Sequence, residues 1–447
     1  MKAKRILATI TAITLMVTIT ACGNTTKTPT DTQSTAAETS VTSKAVTLKM
    51  FSNVPDRTTG LGLLEETNLI SFKAANPNVT IETEFLQDEP YKMKLQTYMQ
   101  SGNMPDLWMQ WGSPALLGPI VNGNYAVVLN PDDYKDYNFV AGALDGFTVD
   151  GKLYGLPKNA DFWLMYYNEK ILADNGIEIP KTTDDYIAAA AKLKAKGIAC
   201  VSLAGKDKWP TGLILQNLIV RQTGDPLVFT NAVKTGTTSG NADIDAAIIE
   251  LIRLIDNGVF QPSYNADDYG TAKNLFIQGK AAMFVMGSWE MGMAADQTIP
   301  EEVRSHIRAT KFPVIKGAKG TENDIAMWYG GGYSVSDKSA VKDTAIKLLN
   351  HLLSPENYAK NAWQKQIVIP PMKYDQYLTG SENALQKDLT KIMTEATAST
   401  GDEYSNYFNP SFKNDSENLM LELGGKLVDS KEFTKRLDAY AKEAIGK

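Results

Sequence analysis

Two tryptophans stand at positions from which a ring could meet a ligand. Trp111 ends the run Met104-Pro105-Asp106-Leu107-Trp108-Met109-Gln110-Trp111, and Trp289 follows Ala281-Ala282-Met283-Phe284-Val285-Met286-Gly287-Ser288. In each case a short apolar run that reads as a strand carries an indole to the end of a sheet. The adjacent Gly112 permits close approach, and Gly287 permits an outward turn. An indole so placed can cover the apolar face of a bound molecule, whose polar edges then need donors and acceptors nearby. Gln110 and Ser113 flank Trp111 with an amide and a hydroxyl. Asp161 supplies a carboxylate able to accept two adjacent hydroxyls, and Tyr167 lies at the far end of the same apolar run. Asp56 and Arg57, after the first predicted strand, offer similar contacts. Trp328 and Gly331 belong to the glycine-rich run Met327 to Tyr333, and Tyr404 to an aromatic loop over 402–410. The chemistry these residues suit is reversible stacking and hydrogen bonding, with no covalent step.

Composition removes several other chemistries. The chain of 447 residues has 2 His and 2 Cys. His306 and His351 fall in separate helical contexts without ligand spacing, so neither a metal site nor a histidine-based triad is expected, and no cofactor. The glycines at 330–332 lead into a strand-like Tyr333-Ser334-Val335-Ser336 instead of a helix with a P-loop lysine, which disfavours nucleotide binding. Formal net charge is -6; the only charges before Cys22 are Lys2, Lys4 and Arg5, and without them 42 basic side chains face 51 acidic ones, or -9. Nucleic acid is therefore not an expected partner. With 51 carboxylates some close pair is inevitable, so composition alone gives a lipid-anchored glycoside hydrolase no special support.

The elements that must position these residues alternate between strand and helix. Val46 to Phe51 alternates as a strand, Gly60 to Ala75 has helical spacing, and Val79, Ile81, Thr83 and Phe85 alternate again. A helix over Tyr91 to Gln100 and the strand before Trp111 follow, so an open, largely parallel sheet is the economical topology, with ligands at the carboxyl ends of its strands. Phe162 to Tyr167 reads as a buried strand where the chain crosses to a second lobe. Thr182 with Asp185 forms a helix-capping pair, and Asp243 to Asn257 has an isoleucine stripe that faces a core. Cys200, in an apolar strand-like run, is expected as a free buried thiol.

Ahead of this lies a segment of another kind. Lys2, Lys4 and Arg5 precede an apolar run, Ile6 to Thr18, shorter than the ~20 residues of a spanning helix, which reads as a secretion signal. Ile19-Thr20-Ala21-Cys22-Gly23 resembles the lipobox of bacterial lipoproteins, implying cleavage after residue 21 and lipidation of Cys22. Residues 22–45, rich in Thr, Ser, Ala and Lys, read as a flexible tether from that anchor.

Four motifs then occur in order: Ser101-Gly102-Asn103-Met104-Pro105-Asp106, Asp150-Gly151-Lys152-Leu153-Tyr154-Gly155-Leu156-Pro157, Tyr167-Asn168, and Gly279-Lys280-Ala281-Ala282-Met283 with Gly287-Ser288-Trp289. Together, behind a lipobox, they resemble extracellular solute-binding protein family 1, the carbohydrate-binding lipoproteins of bacterial ABC importers. The resemblance implies an α/β, two-lobed periplasmic-binding-protein-like fold with a hinge and an interlobe cleft. Lobe 1 would be 46–155 with about 330–353, and lobe 2 would be 156–329 with about 354–447. It further implies a monomeric, non-enzymatic receptor on the extracytoplasmic face of the membrane, which captures a sugar, more readily an oligosaccharide, and delivers it to the membrane subunits of an ABC permease. Trp289 matches a position where the family stacks an indole on a sugar ring. The chain carries one more residue between Pro157 and Tyr167 than the family pattern, which leaves the register of Asp161 open. A peptide, oxyanion or metal as the solute is the nearer alternative, and glycoside hydrolysis the more distant one.

Overall fold

The computed structural model describes residues 44–446. The expected signal segment, Cys22 and nearly all of the tether lie outside the described residues. The described residues make one unit, built on two main sheets and two hydrophobic cores.

The chain begins with β1 (Val46–Ser52), α1 (Gly60–Ala75), β2 (Val79–Phe85), α2 (Asp88–Ser101), β3 (Leu107–Trp111) and α3 (Pro114–Asn122). Each strand is short and apolar on at least one face, and each helix buries a stripe. On α1 the buried residues include Leu64, Leu69 and Phe72, while Ile70 points to solvent. Two small strands, β4 (Thr148–Val149) and β5 (Lys152–Leu153), make a hairpin around Asp150-Gly151, both in the left-handed region that such a turn demands. Next come β6 (Leu156–Pro157) and β7 (Asp161–Asn168), the latter buried at every position as its unbroken apolar run predicts. β8 (Ala199–Ser202), β9 (Ala281–Gly287), β10 (Ile307–Thr310), β11 (Asp324–Ile325), β12 (Met327–Trp328) and β13 (Gly331–Val335) complete the strands that concern the site.

The first sheet has the order β2-β1-β3-β13-β6, and the second β10-β7-β9-β8, with β12 paired to β7. β1, β2 and β3 are parallel, β13 runs against β3, and β6, antiparallel to β13, runs in the direction of the first three again; the second sheet is mixed as well, with β7 against β9 and β10. The expectation of a largely parallel sheet holds for the first sheet, in which β13 is the reversed strand. The antiparallel strands are the ones by which the chain passes between lobes, so their direction is set by the crossing and not by a helical return.

The lobe boundaries also move. β6 belongs to the first sheet, so lobe 1 runs to Pro157. Tyr358, Ala362, Ile367 and Val368 join the first core, whereas Trp363, Ile369 and Met372 join the second. The last crossing therefore falls near 368–369, later than the sequence reading placed it, because one short helix presents residues to both cores.

In the second lobe Thr182 accepts from the Asp185 amide and Asp185 accepts from that of Thr182, the capping box expected there. Cys200 is a free, buried cysteine, and burial pushes its thiol up to about 12. Among the described residues no helix is long and apolar enough to cross a membrane.

Candidate functional site

Register explains how the crossings build a site. In the first sheet Gly331 stands opposite Trp111, and in the second Trp328 stands opposite Asp161. The Gly112 amide donates to the Gly330 carbonyl at 2.7 Å and the Lys158 amide to the Gly331 carbonyl at 2.7 Å. Two crossing segments, 158–161 and 328–331, thus lie side by side and form the floor of a cleft between the lobes. The cleft encloses about 340 Å³ and is lined by residues of both lobes.

One wall is aromatic and belongs to the second lobe. Trp289 lies 6.0 Å from Trp209 and 6.0 Å from Trp328, centroid to centroid, at 51° and 66°. It packs against both hydrophobic cores. Gly287 is required for this: a Cβ there would overlap the Trp289 ring. The Trp289 indole N–H donates to the Tyr269 hydroxyl at 2.7 Å; that hydroxyl donates to Glu290, which pairs with Lys273 at 2.7 Å. The ring is held by a chain of partners, so little rotamer freedom remains to be lost when a ligand covers it. Trp111 faces this wall from lobe 1, with the Tyr91 ring edge-on at 5.7 Å and the Lys92 ammonium over its face at 5.2 Å. The Trp209 indole N–H donates to Asp88 at 3.1 Å, joining the lobes directly.

The floor is polar. Asp161 is buried, its Oδ1 has no protein hydrogen-bond partner, and burial raises its carboxyl to about 7 despite the neighbouring Lys158. Lys158 is lowered, chiefly by burial. Asp402 and Glu403 are raised by burial too, Glu403 to about 8. A buried carboxylate with a free oxygen is an acceptor in wait of donors, which hydroxyl groups would supply.

The sequence-derived candidates divide accordingly. Trp111, Trp289, Trp328, Gly331, Asp161 and Asp56 all line the cleft, although Asp56 is exposed and already accepts from Thr58 and Thr59. Five others do not, each for a structural reason. Gln110 lies in a strand next to Trp111 and so points to the opposite face, where its amide donates to the carbonyls of Trp111 and Leu116. Ser113 is buried at the N-cap of α3. Arg57 turns away to pair with Glu65 and Glu66. Tyr167 sits six residues along β7 from Asp161, ~20 Å at strand rise, with its ring in the core. Tyr404 is fully buried against Phe229, leaving its neighbours Asp402, Glu403 and Asn406 to face the cleft.

Trp209, Tyr269 and Lys158 were not foreseen. Trp209 opens the helix Trp209–Thr223 just past the carboxyl end of β8, and the pair Trp209-Pro210 was the available signal, since proline favours a first helical turn. Among the described residues no group of three or more His, Cys, Asp or Glu side chains could hold a metal ion.

With this geometry in view, likeness to known proteins is informative. A family model for the bacterial extracellular solute-binding proteins matches residues 56–359. An ABC-transporter extracellular-binding protein of Pyrococcus horikoshii is 27% identical over 51% of this chain and 54% of its own length. The multiple sugar-binding protein of Streptococcus mutans is 23% identical over 63% of this chain and 66% of its own. The chain thus spans about half to two thirds of the length of these curated relatives. Among solved structures, a chitin oligosaccharide binding protein superposes with a TM-score of 0.78 at 26% identity, covering 90% of this chain and all of that one.

Proposed function

Since the chain belongs to the bacterial extracellular solute-binding proteins, we propose that it is the receptor of an ABC importer, capturing a sugar between its lobes and handing it to a membrane permease. The observation that carries this is the opposition of Trp111 on one lobe to Trp289, Trp209 and Trp328 on the other, across a floor where a buried carboxylate keeps one oxygen, Asp161 Oδ1, without a hydrogen-bond partner. A pyranose has C–H faces for the rings and hydroxyl edges for Asp161, and it touches both walls only when the lobes are together, so its binding favours closure. The sugar-binding relative and the structural neighbour named above support a carbohydrate over a peptide, an oxyanion or a metal. Cys22, lipidated after cleavage of residues 1–21, anchors the receptor on the extracytoplasmic face, and residues 22–45 give it reach. It acts as a monomer, needs no cofactor, and returns the sugar unchanged.

Calorimetry of the chain begun at Lys44 against a panel of mono- and oligosaccharides tests this. Micromolar or tighter binding, about -8 kcal/mol or better, of at least one sugar is expected. Heat from peptides or oxyanions but from no sugar would overturn the reading.

Glycoside hydrolysis is the second reading, favoured by one observation: Asp161 and Glu403 are raised into the range of a general acid. Reducing sugar released from an oligosaccharide, and lost in Asp161→Asn, would establish it.

A further inference from the structure

The charges that line the cleft do not balance. Of its lysines, three are already matched: Lys92 is paired with Asp88 at 3.2 Å and Glu89 at 2.5 Å, Lys273 with Glu290 at 2.7 Å, and Lys413 with Glu417 at 2.6 Å. The remaining one, Lys158, donates to the Asn53 side chain at 3.4 Å and has no ion-pair partner among the described residues. Against that single ammonium stand the lining carboxylates Asp56, Asp161, Asp296, Asp402 and Glu403, none of which lies within ion-pair distance of a cation among the described residues. We propose that the cleft selects a ligand with a cationic nitrogen, an amino sugar, over the neutral sugars that its aromatic walls alone would admit. The proposal rests on the sugar-receptor reading above and narrows its substrate class.

Burial is the first argument. Asp161 is 5% exposed, lines the cleft, and has no hydrogen-bond partner at Oδ1. Burial first, and repulsion from Asp402 after it, raise Asp161 to about 7 and Glu403 to about 8, so the three carboxylates share one region. They hold protons because the chain brings too few cations there to neutralise them. An ammonium supplies the missing charge and has up to three N–H donors, each forming a stronger bond to a carboxylate than a neutral hydroxyl does. An acetamide on the same ring carbon brings one N–H and no charge.

The walls are the second argument. Trp111 already has a protein cation over its face, Lys92 at 5.2 Å, whereas the faces of Trp209, Trp289 and Trp328 carry none among the described residues. The negative face of an indole attracts an ammonium more than any other side-chain ring does, and more so when water is excluded. Carboxylates below and unoccupied indoles beside them are the two partners an ammonium needs when it leaves water. The net charge of the chain, -6, favours the approach of a cation as well.

The test varies one substituent. Glucose, galactose and mannose, with their 2-acetamido and 2-amino counterparts, are titrated calorimetrically at pH 7 as monosaccharides and as β-1,4-linked trisaccharides, and spermidine serves as a cation without a sugar ring. The protein is the chain begun at Lys44, as wild type, Asp161→Asn and Asp402→Asn, with thermal unfolding to confirm that each folds. In the wild type the best amino sugar should bind at least about fivefold more tightly than its hydroxyl and acetamido counterparts. That advantage should shrink to about twofold in Asp161→Asn, where the amino form loses more than the other two, and should also fall in Asp402→Asn; either variant suffices if the other does not fold. A smaller advantage in the wild type, or one that every folded variant keeps in full, would overturn the inference and leave the receptor reading intact. Binding of spermidine but of no sugar, or of no compound at all, would overturn both.

Discussion

Asp161 is where burial and function pull in opposite directions, and replacing it by asparagine exposes the conflict. The folded chain raises this carboxyl from the usual 3.8 to about 7, by burial first, with Asp402 adding repulsion and Lys158 and Asn159 opposing. A group that holds its proton more tightly when folded makes the folded state bind more protons than the unfolded one between pH 4 and 7. Its contribution therefore favours folding at low pH and is lost as pH rises through that window. Above pH 7 the charged form costs about 4 kcal/mol relative to an unburied carboxylate. The amide of the Asp161→Asn variant is neutral at every pH and nearly isosteric. Lys158, deprived of an attractive neighbour, returns part of the gain, leaving a net stabilisation of about 3 kcal/mol at pH 8 that shrinks to about 1 kcal/mol at pH 5, where the wild type has crossed only the lower part of the window above 3.8. Glu403 also titrates near pH 8, but in both proteins, so it cancels in the difference. Urea unfolding of wild type and Asp161→Asn at the two pH values measures this. Sugar affinity should move the other way, falling several-fold in the variant at pH 8, and in the wild type between pH 8 and pH 5. A variant whose stability differs from wild type by the same amount at both pH values would refute the reasoning, since the effect would then be packing and not charge.

Three further outcomes are expected. Trp289→Ala should weaken the best sugar about tenfold by calorimetry: covering ~60 Å² of apolar surface at ~25 cal/mol per Å² is worth about 1.5 kcal/mol. An unchanged affinity would remove the ring from the site. Trp209→Phe keeps the aromatic wall but deletes the interlobe bond to Asp88, so small-angle scattering of the sugar-free protein should show a more open average shape, and an unaltered profile would assign that bond no part in closure. Cys22→Ser in the full chain should move the protein from the membrane fraction to the medium, whereas retention on the membrane would exclude lipidation at that thiol.

Much of the scaffold was legible because it is written in local periodicity. The alternation of Val46 to Phe51 and of Val79 to Phe85, the break at Asn76-Pro77-Asn78, and the unbroken run before Asn168 each specify an element without reference to distant residues. What periodicity does not contain is which strand returns beside which. Gly331 meets Trp111, and Trp328 meets Asp161, through pairings that span more than 150 residues, and these pairings decide what the cleft contains. Within a single element, though, the sequence held more than was taken from it. If Trp111 faces the cleft, the two-residue period of a strand turns Gln110 away, and a strand that starts at Asp161 in the cleft has carried Tyr167 out of it. Trp209 and Tyr269 have no such signal: both stand at helix starts, one after Lys208 and the other after the cap Asp268, where no hydrophobic pattern marks the residue that lines the cleft. In a fold of this kind strand ends can be read for candidate platforms, but the partners that hold each platform come from helix N-termini brought there by the sheet. Trp289 is the case in point. Its position follows from the strand before it, while its fixed orientation depends on the Tyr269 hydroxyl, which reaches it from the first residue of another helix.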